Sequence, residues 1–499
     1  MKETININRK VGSILLLTIF PTNHLLAQQS PKSTEHPNLL VVMADQFRGS
    51  AFGFRHIEPV VTPNFDDFAK NAVVCTQAVS GYPVSSPARG MFLSGAYPHV
   101  NGILTNCKSE TSQYDVELRK DLTCWSDILS NYGYNMGYIG KWHMDKPMKP
   151  YIDCTNNRGK VAWNEWCPPD RRHGFDYWVA YGTYDYHLRP LYWGKSDKRE
   201  DFYYVNQWSP EYETDLAIKY LDSIHHSERP FALMVSWNPP HTAYNLVPEK
   251  YKALYKELNT DSLAQRLPNL LGSEAKNQEY FKKSVADYYA CISGIDDQFG
   301  RIISALKANG QYDKTIIVFV SDHGDSMGMH DNIGKNVFYE EAMRVPFIIA
   351  YGNKLQPRID NNLLISLEDF CPTILSLLGF KQQIPSTVQT HDLSECIKNK
   401  RKKGPSYQLY MKYEGVNSKE YNLKTGKRGI RNNRYTYAVD FVDATVTREY
   451  LFDRKKDPFE MSNIVDEKKH IAHKMFNILK KRLETINDPA STIRHREVK

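Results

Sequence analysis

A serine, a proline and an arginine within five positions could seat a nucleophile at the start of a helix. Ser85 begins the run Ser-Ser-Pro-Ala-Arg-Gly-Met-Phe-Leu-Ser-Gly, which ends at Gly95. Pro87 suits the first helical turn, where its missing N–H costs nothing, and the free N–H groups there favour an anion. Arg89 follows one turn later and would point back at that anion. The run predicts an anion-handling site, although an ordinary N-capping serine is the simpler alternative.

Four polar side chains directly follow two apolar runs. Asp45 and Gln46 come after residues 38–44, and Asp322 and His323 come after the run that starts at residue 315. Carboxylate and amide oxygens at neighbouring strand ends suit Ca²⁺ or Mg²⁺, whereas the histidine offers nitrogen. A polar residue after a buried strand is commonly part of a turn, so each pair is informative only together with the Ser85 run.

Two further motifs carry basic side chains. Gly-Lys-Trp-His at 140–143 follows another apolar run, and Lys141 and His143 would project to the same face of an extended segment. Trp-Asn-Pro-Pro-His at 237–241 contains two prolines, which fix where His241 points. A histidine can donate a proton near neutral pH. Alone, each motif would describe a surface lysine or a loop histidine.

A last motif lies after Asp322. Lys335 follows a glycine and precedes Tyr-Glu-Glu-Ala-Met-Arg-Val-Pro at 339–346. Lys335 adds another cation to the candidate site. Glu340, Glu341 and Arg344 are interpreted as structural ion pairs rather than catalysts.

These motifs, in this order, resemble type I sulfatases of the alkaline phosphatase superfamily. The family shows Cys/Ser-x-Pro-Ser/Ala-Arg followed by Leu-x-Gly, then Gly-Lys-Trp-His, a histidine after Pro-Pro, and Gly-Lys before Tyr-Glu-Glu. The resemblance continues through Leu-Phe-Asp, Asp-Pro-Phe-Glu and Asn within 451–463, and so covers essentially the whole mature chain. It implies an alkaline-phosphatase-like α/β/α sandwich with a smaller C-terminal domain, and hydrolysis of sulfuric esters.

The resemblance also implies roles for single residues. Ser85 would be oxidised to Cα-formylglycine (3-oxoalanine), whose gem-diol attacks sulfur. The implied metal ligands, for Ca²⁺ with Mg²⁺ as the alternative, are Asp45, Gln46, Ser85, Asp322 and His323. The implied sulfate-handling residues are Arg89, Lys141, His143, His241 and Lys335. Among them, His143 would orient residue 85 and His241 would protonate the departing oxygen.

A serine-type motif implies a dedicated maturing enzyme that acts before export. The expected substrate is a sulfated saccharide, attacked from a chain end. The aromatic run 177–193 offers Asp185, His187 and Arg189 to sugar hydroxyls, although its aromatic residues could equally be core. Alternatives are a choline-sulfatase-like activity on small molecules, phosphomonoester or phosphonate hydrolysis, and non-catalytic glycan binding.

The elements that must position these residues form an alternating α/β pattern. Short apolar runs predict strands buried on both faces, with amphipathic helices between them. The strands are predicted at 38–44, 135–139, 231–236, 315–320 and 345–350, and the helices at 64–79, 124–131, 211–226, 280–308 and 366–378. A charged linker follows residue 400, and a smaller α+β domain is predicted from strands at 407–413, 429–432, 435–439 and 448–453 and a helix at 467–486.

Length and composition fit an exported enzyme of two domains. The chain has 499 residues, and we predict a signal peptide at 1–27, a catalytic domain at 28–400 and a C-terminal domain at 401–499. The apolar segment of the predicted signal peptide is too short to span a bilayer. No cysteine that could carry a lipid anchor lies near the predicted cleavage site, so a periplasmic location is expected. The net charge of +7 suits an anionic substrate, but no nucleic-acid module is recognisable. Among eight scattered cysteines, Cys154 and Cys167 could close a loop.

Overall fold

A large mixed sheet forms the centre of the protein. The computed structural model describes residue 1 and residues 36–495, so the signal peptide predicted at 1–27 lies, apart from Met1, outside the described residues. The strand order is β10-β2-β9-β8-β1-β7-β3-β4-β5-β6. The strands are β1 (Asn38–Ala44), β2 (Val73–Cys75), β3 (Asn135–Lys141), β4 (Tyr177–Tyr181), β5 (Leu191–Gly194), β6 (Tyr203–Tyr204), β7 (Phe231–Trp237), β8 (Thr315–Ser321), β9 (Phe347–Ala350) and β10 (Arg358–Asp360).

Helices cover both faces of this sheet. The helices of the described residues, the last of which belongs to the C-terminal part, are α1 (Pro63–Ala69), α2 (Ser85–Ser94), α3 (Pro98–Asn101), α4 (Trp125–Asn131), α5 (Ser209–Ile224), α6 (Glu249–Lys252), α7 (Thr260–Ala264), α8 (Pro268–Leu271), α9 (Ala275–Ala308), α10 (Glu340–Met343), α11 (Phe370–Leu377), α12 (Ser394–Lys398) and α13 (Lys469–Thr485). Along β1, Leu39, Val41 and Met43 join one core with α2, α4 and α11. Leu40 and Val42 join the opposite core with α1, α5 and α9. The predicted α/β class is confirmed, because alternate residues of the central strand are buried on opposite faces.

Two predicted elements need correction. The predicted helix 64–79 ends at Ala69, and the chain then forms β2, because the run Val-Val-Cys pairs with strands on both sides. The predicted strand 345–350 begins only at Phe347. Pro346 has no N–H to give to a strand ladder, which accounts for the late start.

The C-terminal part forms a second sheet. Its strands β11 (Gln408–Val416), β12 (Tyr421–Arg431), β13 (Tyr435–Val442) and β14 (Thr445–Asp453) are antiparallel in sequence order, and α13 packs against them. The core of this part includes Tyr82, Val84 and Met91, so it supports the start of α2. The predicted antiparallel sheet and closing helix are confirmed, whereas the boundary at residue 400 stays a prediction.

All eight cysteines are buried and free, so the suggested Cys154–Cys167 bridge is wrong for this structure. Within residues 36–495, no helix combines the length and the apolar character needed to cross a membrane.

Candidate active site

Neighbouring strands bring the two predicted acidic pairs together. β1 and β8 are parallel partners, and Ala44 lies opposite Ser321, so Asp45 and Asp322 leave the sheet side by side. Gln46 adopts a left-handed backbone conformation (φ 69°), and its N–H donates to Asp322 Oδ1 at 3.2 Å. The carboxyl edge of the parallel strands is therefore where the predicted residues meet.

Ser85 stands at the first position of α2 and faces these side chains. Its Oγ lies 3.2 Å from Asp45 Oδ2 and 3.1 Å from His323 Nε2. All ten residues of α2 are buried, which is unusual for a helix and fixes Ser85 from every side. The structure thus places the predicted nucleophile among the predicted metal ligands.

Arg89 and Lys141 neutralise the carboxylates from the sides. Arg89 donates from Nε to Asp322 Oδ2 and from Nη2 to Asp45 Oδ2, each at 3.1 Å, and from Nη1 to the Lys141 carbonyl at 3.0 Å. Lys141 Nζ lies 2.7 Å from Asp45 Oδ2. Burial would raise the pKa of Asp45, but Lys141, His241, His323 and Arg89 outweigh it and hold that pKa well below its usual value. Burial and the neighbouring Asp45 charge raise the pKa of Asp322 to about 7.

The donor set fits a divalent cation. Ligand atoms of Asp45, Asp322 and His323 lie within 4.8 Å of one another, and all three residues are buried. His323 Nδ1 is 2.8 Å from the Gly324 carbonyl, so Nδ1 carries the proton and Nε2 presents a lone pair. That lone pair faces Asp45 Oδ1 at 3.4 Å, and Asp45 Oδ1 has no hydrogen-bond donor. Two buried acceptors that face each other without a proton between them are stabilised by a cation.

Lys335 and His241 form a second group beside the carboxylates. Lys335 Nζ lies 2.6 Å from Gln46 Oε1 and 2.7 Å from His241 Nε2. His241 Nδ1 faces two acceptors, the Thr242 carbonyl at 2.9 Å and Asp185 Oδ1 at 3.2 Å, so Nδ1 holds a proton and Nε2 accepts from the ammonium. Burial lowers the pKa of Lys335, which makes its ammonium a readier proton donor.

Two of the predicted residues make other contacts. His143 is buried and its Nε2 lies 3.2 Å from the Cys107 carbonyl; among the described residues no hydrogen bond joins it to Ser85. Burial, with Lys141 and Arg89 nearby, holds the pKa of His143 well below its usual value. The Gln46 amide oxygen accepts from Lys335, so its role as a metal ligand stays a prediction.

The charge balance of this site suits an anion. Three cations (Arg89, Lys141 and Lys335) lie among four carboxylates (Asp45, Asp322, Asp185 and Asp325), so a bound divalent cation would change the net charge of the site from −1 to +1. Lys335 has no carboxylate within 4.0 Å in the described part of the chain, so its charge stays available. A divalent cation adds further positive charge, and the site can bind an oxyanion next to Ser85.

Comparison with known proteins decides the family. A family model described as sulfatase matches residues 37–380, and a model described as the C-terminal region of N-sulphoglucosamine sulphohydrolase matches residues 328–488. The chain belongs to the sulfatase family. It is 35% identical to an endo-4-O-sulfatase of Bacteroides thetaiotaomicron, over 95% of this chain and 97% of that protein. It is 33% identical to an ulvan-active sulfatase of Formosa agariphila, over 86% of this chain and 77% of that protein.

A solved structure extends the similarity to the fold. The crystal structure of a Bacteroides fragilis protein described as the sulfatase YidJ superposes on this structure with a TM-score of 0.89, and the two sequences are 49% identical. The match covers 94% of this chain and all of that one. The predicted activity class is therefore confirmed: this sulfatase is a sulfuric ester hydrolase.

Sequence reasoning missed the residues that hold the sulfatase site in place. Asn238 accepts from Lys141 Nζ at 2.9 Å and donates to Asp185 Oδ1 at 3.1 Å, so one amide links the lysine to the partner of His241. Its position within the motif at 237–241 is the one feature of the sequence that could have indicated a role for Asn238 in the site. Asp325 fixes the Gln46 amide by accepting from its Nε2 at 2.9 Å.

The aromatic run at 177–193 is mostly core. Trp178, Tyr181 and Trp193 are buried. His187 is fully buried and its Nε2 bonds to the His241 carbonyl at 3.0 Å, so the expectation that it contacts sugar is wrong and it positions the His241 loop instead. Arg189 is exposed and its guanidinium lies over the Tyr204 ring at 4.7 Å.

Of the acidic and basic residues after Lys335, Glu340 and Arg344 form the expected ion pair, whereas Glu341 accepts from Asn269 Nδ2 at 2.6 Å and pairs with no lysine or arginine among the described residues. Glu340 contacts Arg344 at 2.5 Å, Arg431 at 2.6 Å and Arg454 at 3.2 Å. Because Arg431 and Arg454 belong to the C-terminal sheet region, Glu340 joins that region to the larger sheet. The structure assigns these groups to packing rather than to the site at Ser85.

Proposed function

We propose that this sulfatase removes O-sulfate groups from a sulfated carbohydrate at Ser85. One observation carries the proposal: Ser85 Oγ lies at a helix start, within 3.2 Å of Asp45 and His323 of the fitting cation site, and Lys335, which bonds to Gln46 beside that site, has no carboxylate within 4.0 Å among the described residues. The two relatives named for endo-4-O-sulfatase and ulvan-active sulfatase support a carbohydrate substrate.

The residues divide the chemistry between them. Asp45, Asp322 and His323 would hold Ca²⁺, with Mg²⁺ the alternative, and the bound ion would supply Lewis-acid polarisation at residue 85. Oxidation of Ser85 to formylglycine would supply a nucleophile from which sulfate can leave, whereas a plain serine ester has no easy exit. Both are proposals that the donor set and the family support.

Proton transfer to the sugar oxygen is assigned to His241. Asp185 and the Thr242 carbonyl hold the proton on Nδ1, and Lys335 supplies a proton to Nε2 across 2.7 Å. Nε2 then donates that proton to the departing oxygen. Lys141 and Arg89 help to hold the pKa of Asp45 low, so this carboxylate does not compete for the proton.

The test is a screen of the full chain against regiochemically defined sulfated mono- and disaccharides. The protein is made with a serine-type maturing enzyme, and peptide mass analysis verifies the aldehyde at residue 85. Free sulfate is measured by ion chromatography, and an aryl phosphate is the comparison substrate. We expect sulfate release that Ser85→Ala abolishes and Ser94→Ala, on the same helix, retains. Preferential phosphate release, or no sulfate release from verified aldehyde protein, would refute the proposal.

Three finer features belong to the same proposal. Exo action is tested with oligosaccharides that carry one sulfate either at the chain end or inside the chain, and equal rates on both would contradict it.

Export to the periplasm is tested by the N-terminal sequence of the native protein, which should begin near Gln28. The maturing enzyme is tested by expression without it, which should leave Ser85 unmodified.

A further inference from the structure

A basic groove lies apart from Ser85, between the linker after α12 and the turn that joins β12 to β13. Its cavity measures about 620 Å³. The cations that line it, here called the basic groove residues, are Lys400, Arg401, Lys402, Lys403, Arg434 and Lys455. No step described at Ser85 uses any of them.

Most of this charge is not neutralised. Arg434 pairs with Asp453 at 2.7 Å, and Asp360, the carboxylate among the lining residues, pairs with Arg358 at 3.4 Å. The other five basic groove residues are exposed and have no carboxylate within 4.0 Å in the described part of the chain. Charges of one sign in a recess reinforce one another and attract a polyanion.

One wall of the basic groove, at Asp360, lies at the same edge of the large sheet as the active site. β10 is parallel to β2, and both run in the direction of β8 and β1, because β9 is antiparallel to β2 and to β8. Asp360 at the end of β10 therefore points to the edge that carries Asp45. Four strand spacings of about 4.8 Å separate β10 from β1, which gives roughly 20 Å.

We propose that the basic groove binds a sulfated segment of a glycan chain while another sulfate of that chain occupies the Ser85 site. This inference rests on the proposed function and adds that the substrate is a polymer. A ligand that reaches from a site at the end of β1 to a groove at the end of β10 must be an extended chain, because these strands are about 20 Å apart. Asn362, Asn432 and Asn433 line the groove and offer amide donors and acceptors to sugar hydroxyls.

The lining chemistry favours a glycan over other polyanions. Among the described residues, no aromatic side chain lines the groove, so single-stranded nucleic acid would lack a stacking platform. A membrane surface would be met by an amphipathic face with exposed apolar side chains, whereas the apolar residues here are recessed beneath the cations. The test therefore compares the binding of a sulfated glycan with the binding of nucleic acid and of lipid.

The test compares two variants with the same loss of charge. The groove variant carries Lys400→Gln, Arg401→Gln, Lys402→Gln and Lys403→Gln. The control variant carries Lys468→Gln, Lys469→Gln, Lys474→Gln and Lys481→Gln, all exposed on or beside α13. Heparin binding is measured for both in the Ser85→Ala background, with unsulfated dextran, a single-stranded oligonucleotide and anionic vesicles as comparison probes.

We expect the groove variant to bind heparin about tenfold more weakly, with a smaller salt dependence, and the control variant to lose far less. In the otherwise native chain, KM for a sulfated polysaccharide should rise similarly, while kinetics on a sulfated disaccharide stay unchanged. Equal loss in both variants, or tighter binding of the oligonucleotide or the vesicles than of heparin, would overturn the inference. Heparin binding needs no catalysis, so groove-dependent binding without sulfate release would refute only the proposed function.

Discussion

Replacing Lys335 by methionine separates its role from those of the other two cations. Arg89 bonds to the carboxylates of Asp45 and Asp322, and Lys141 Nζ lies 2.7 Å from Asp45 Oδ2. The charges of Arg89 and Lys141 are therefore largely neutralised by these carboxylates. Lys335 contacts only neutral groups among these partners, Gln46 Oε1 and His241 Nε2. Lys335→Met therefore removes the charge that we propose for sulfate binding, while Asp45 keeps Arg89 and Lys141 and Asp322 keeps Arg89 as partners.

The expected loss follows from the electrostatics of a preorganised donor. Removing one donor to a developing anion costs about 3 kcal/mol, which corresponds to a fall in kcat/KM of roughly 10²–10³-fold. The assay is the release of sulfate from a defined disaccharide, with Lys219→Met, at an exposed position of α5, as the control. Metal content and the unfolding midpoint should not change. A fall of less than about threefold, or a fall matched by lost metal or stability, would refute the reasoning.

Three further outcomes are expected. Glu340→Gln leaves Arg344 and Arg431 without their carboxylate and should lower the free energy of unfolding by about 3–5 kcal/mol in denaturant titrations; an unchanged midpoint would contradict the structural role. Burial and the neighbouring Asp369 raise the pKa of Glu368 to about 8, above about 4.3 in the unfolded chain, so its contribution to stability is full below about pH 4.3 and lost as the pH rises to about 8. Glu368→Gln should flatten this decline in the unfolding midpoint, and a parallel decline in both proteins would refute the assignment. Chelation should lower activity and the unfolding midpoint together, with Ca²⁺ restoring both; full activity after verified metal removal would contradict the cation site.

The parts of the fold that the sequence predicted are those set by local patterns. Continuous apolar runs are enough to predict β1, β7 and β8, because a strand buried on both faces needs no polar alternation. The short strand β2 is not predicted, since its three residues continue an amphipathic pattern begun by α1. The C-terminal strand β12 is longer than predicted because its first half is polar and largely exposed.

The residues of the candidate site also fall into those that the sequence could predict and those that it could not. The motif residues could be predicted because they match the spacing of the family motifs. Their proximity could be predicted because the strands that precede them end at the same edge of the sheet. The link through Asn238 could not be read, since Asp185 lies 53 residues away and only the folded loops bring the two side chains together. The burial of His187 was equally hidden, because a histidine between Tyr186 and Leu188 looks the same in a buried or an exposed loop.

The convergence of a cation and basic side chains on residue 85 is tested most directly by a crystal structure with Ca²⁺ and product sulfate. We expect cation density at the group Asp45, Asp322 and His323, and a sulfate in contact with residue 85 and Lys335. Sulfate bound elsewhere, with the carboxylates holding no ion at saturating Ca²⁺, would contradict the account.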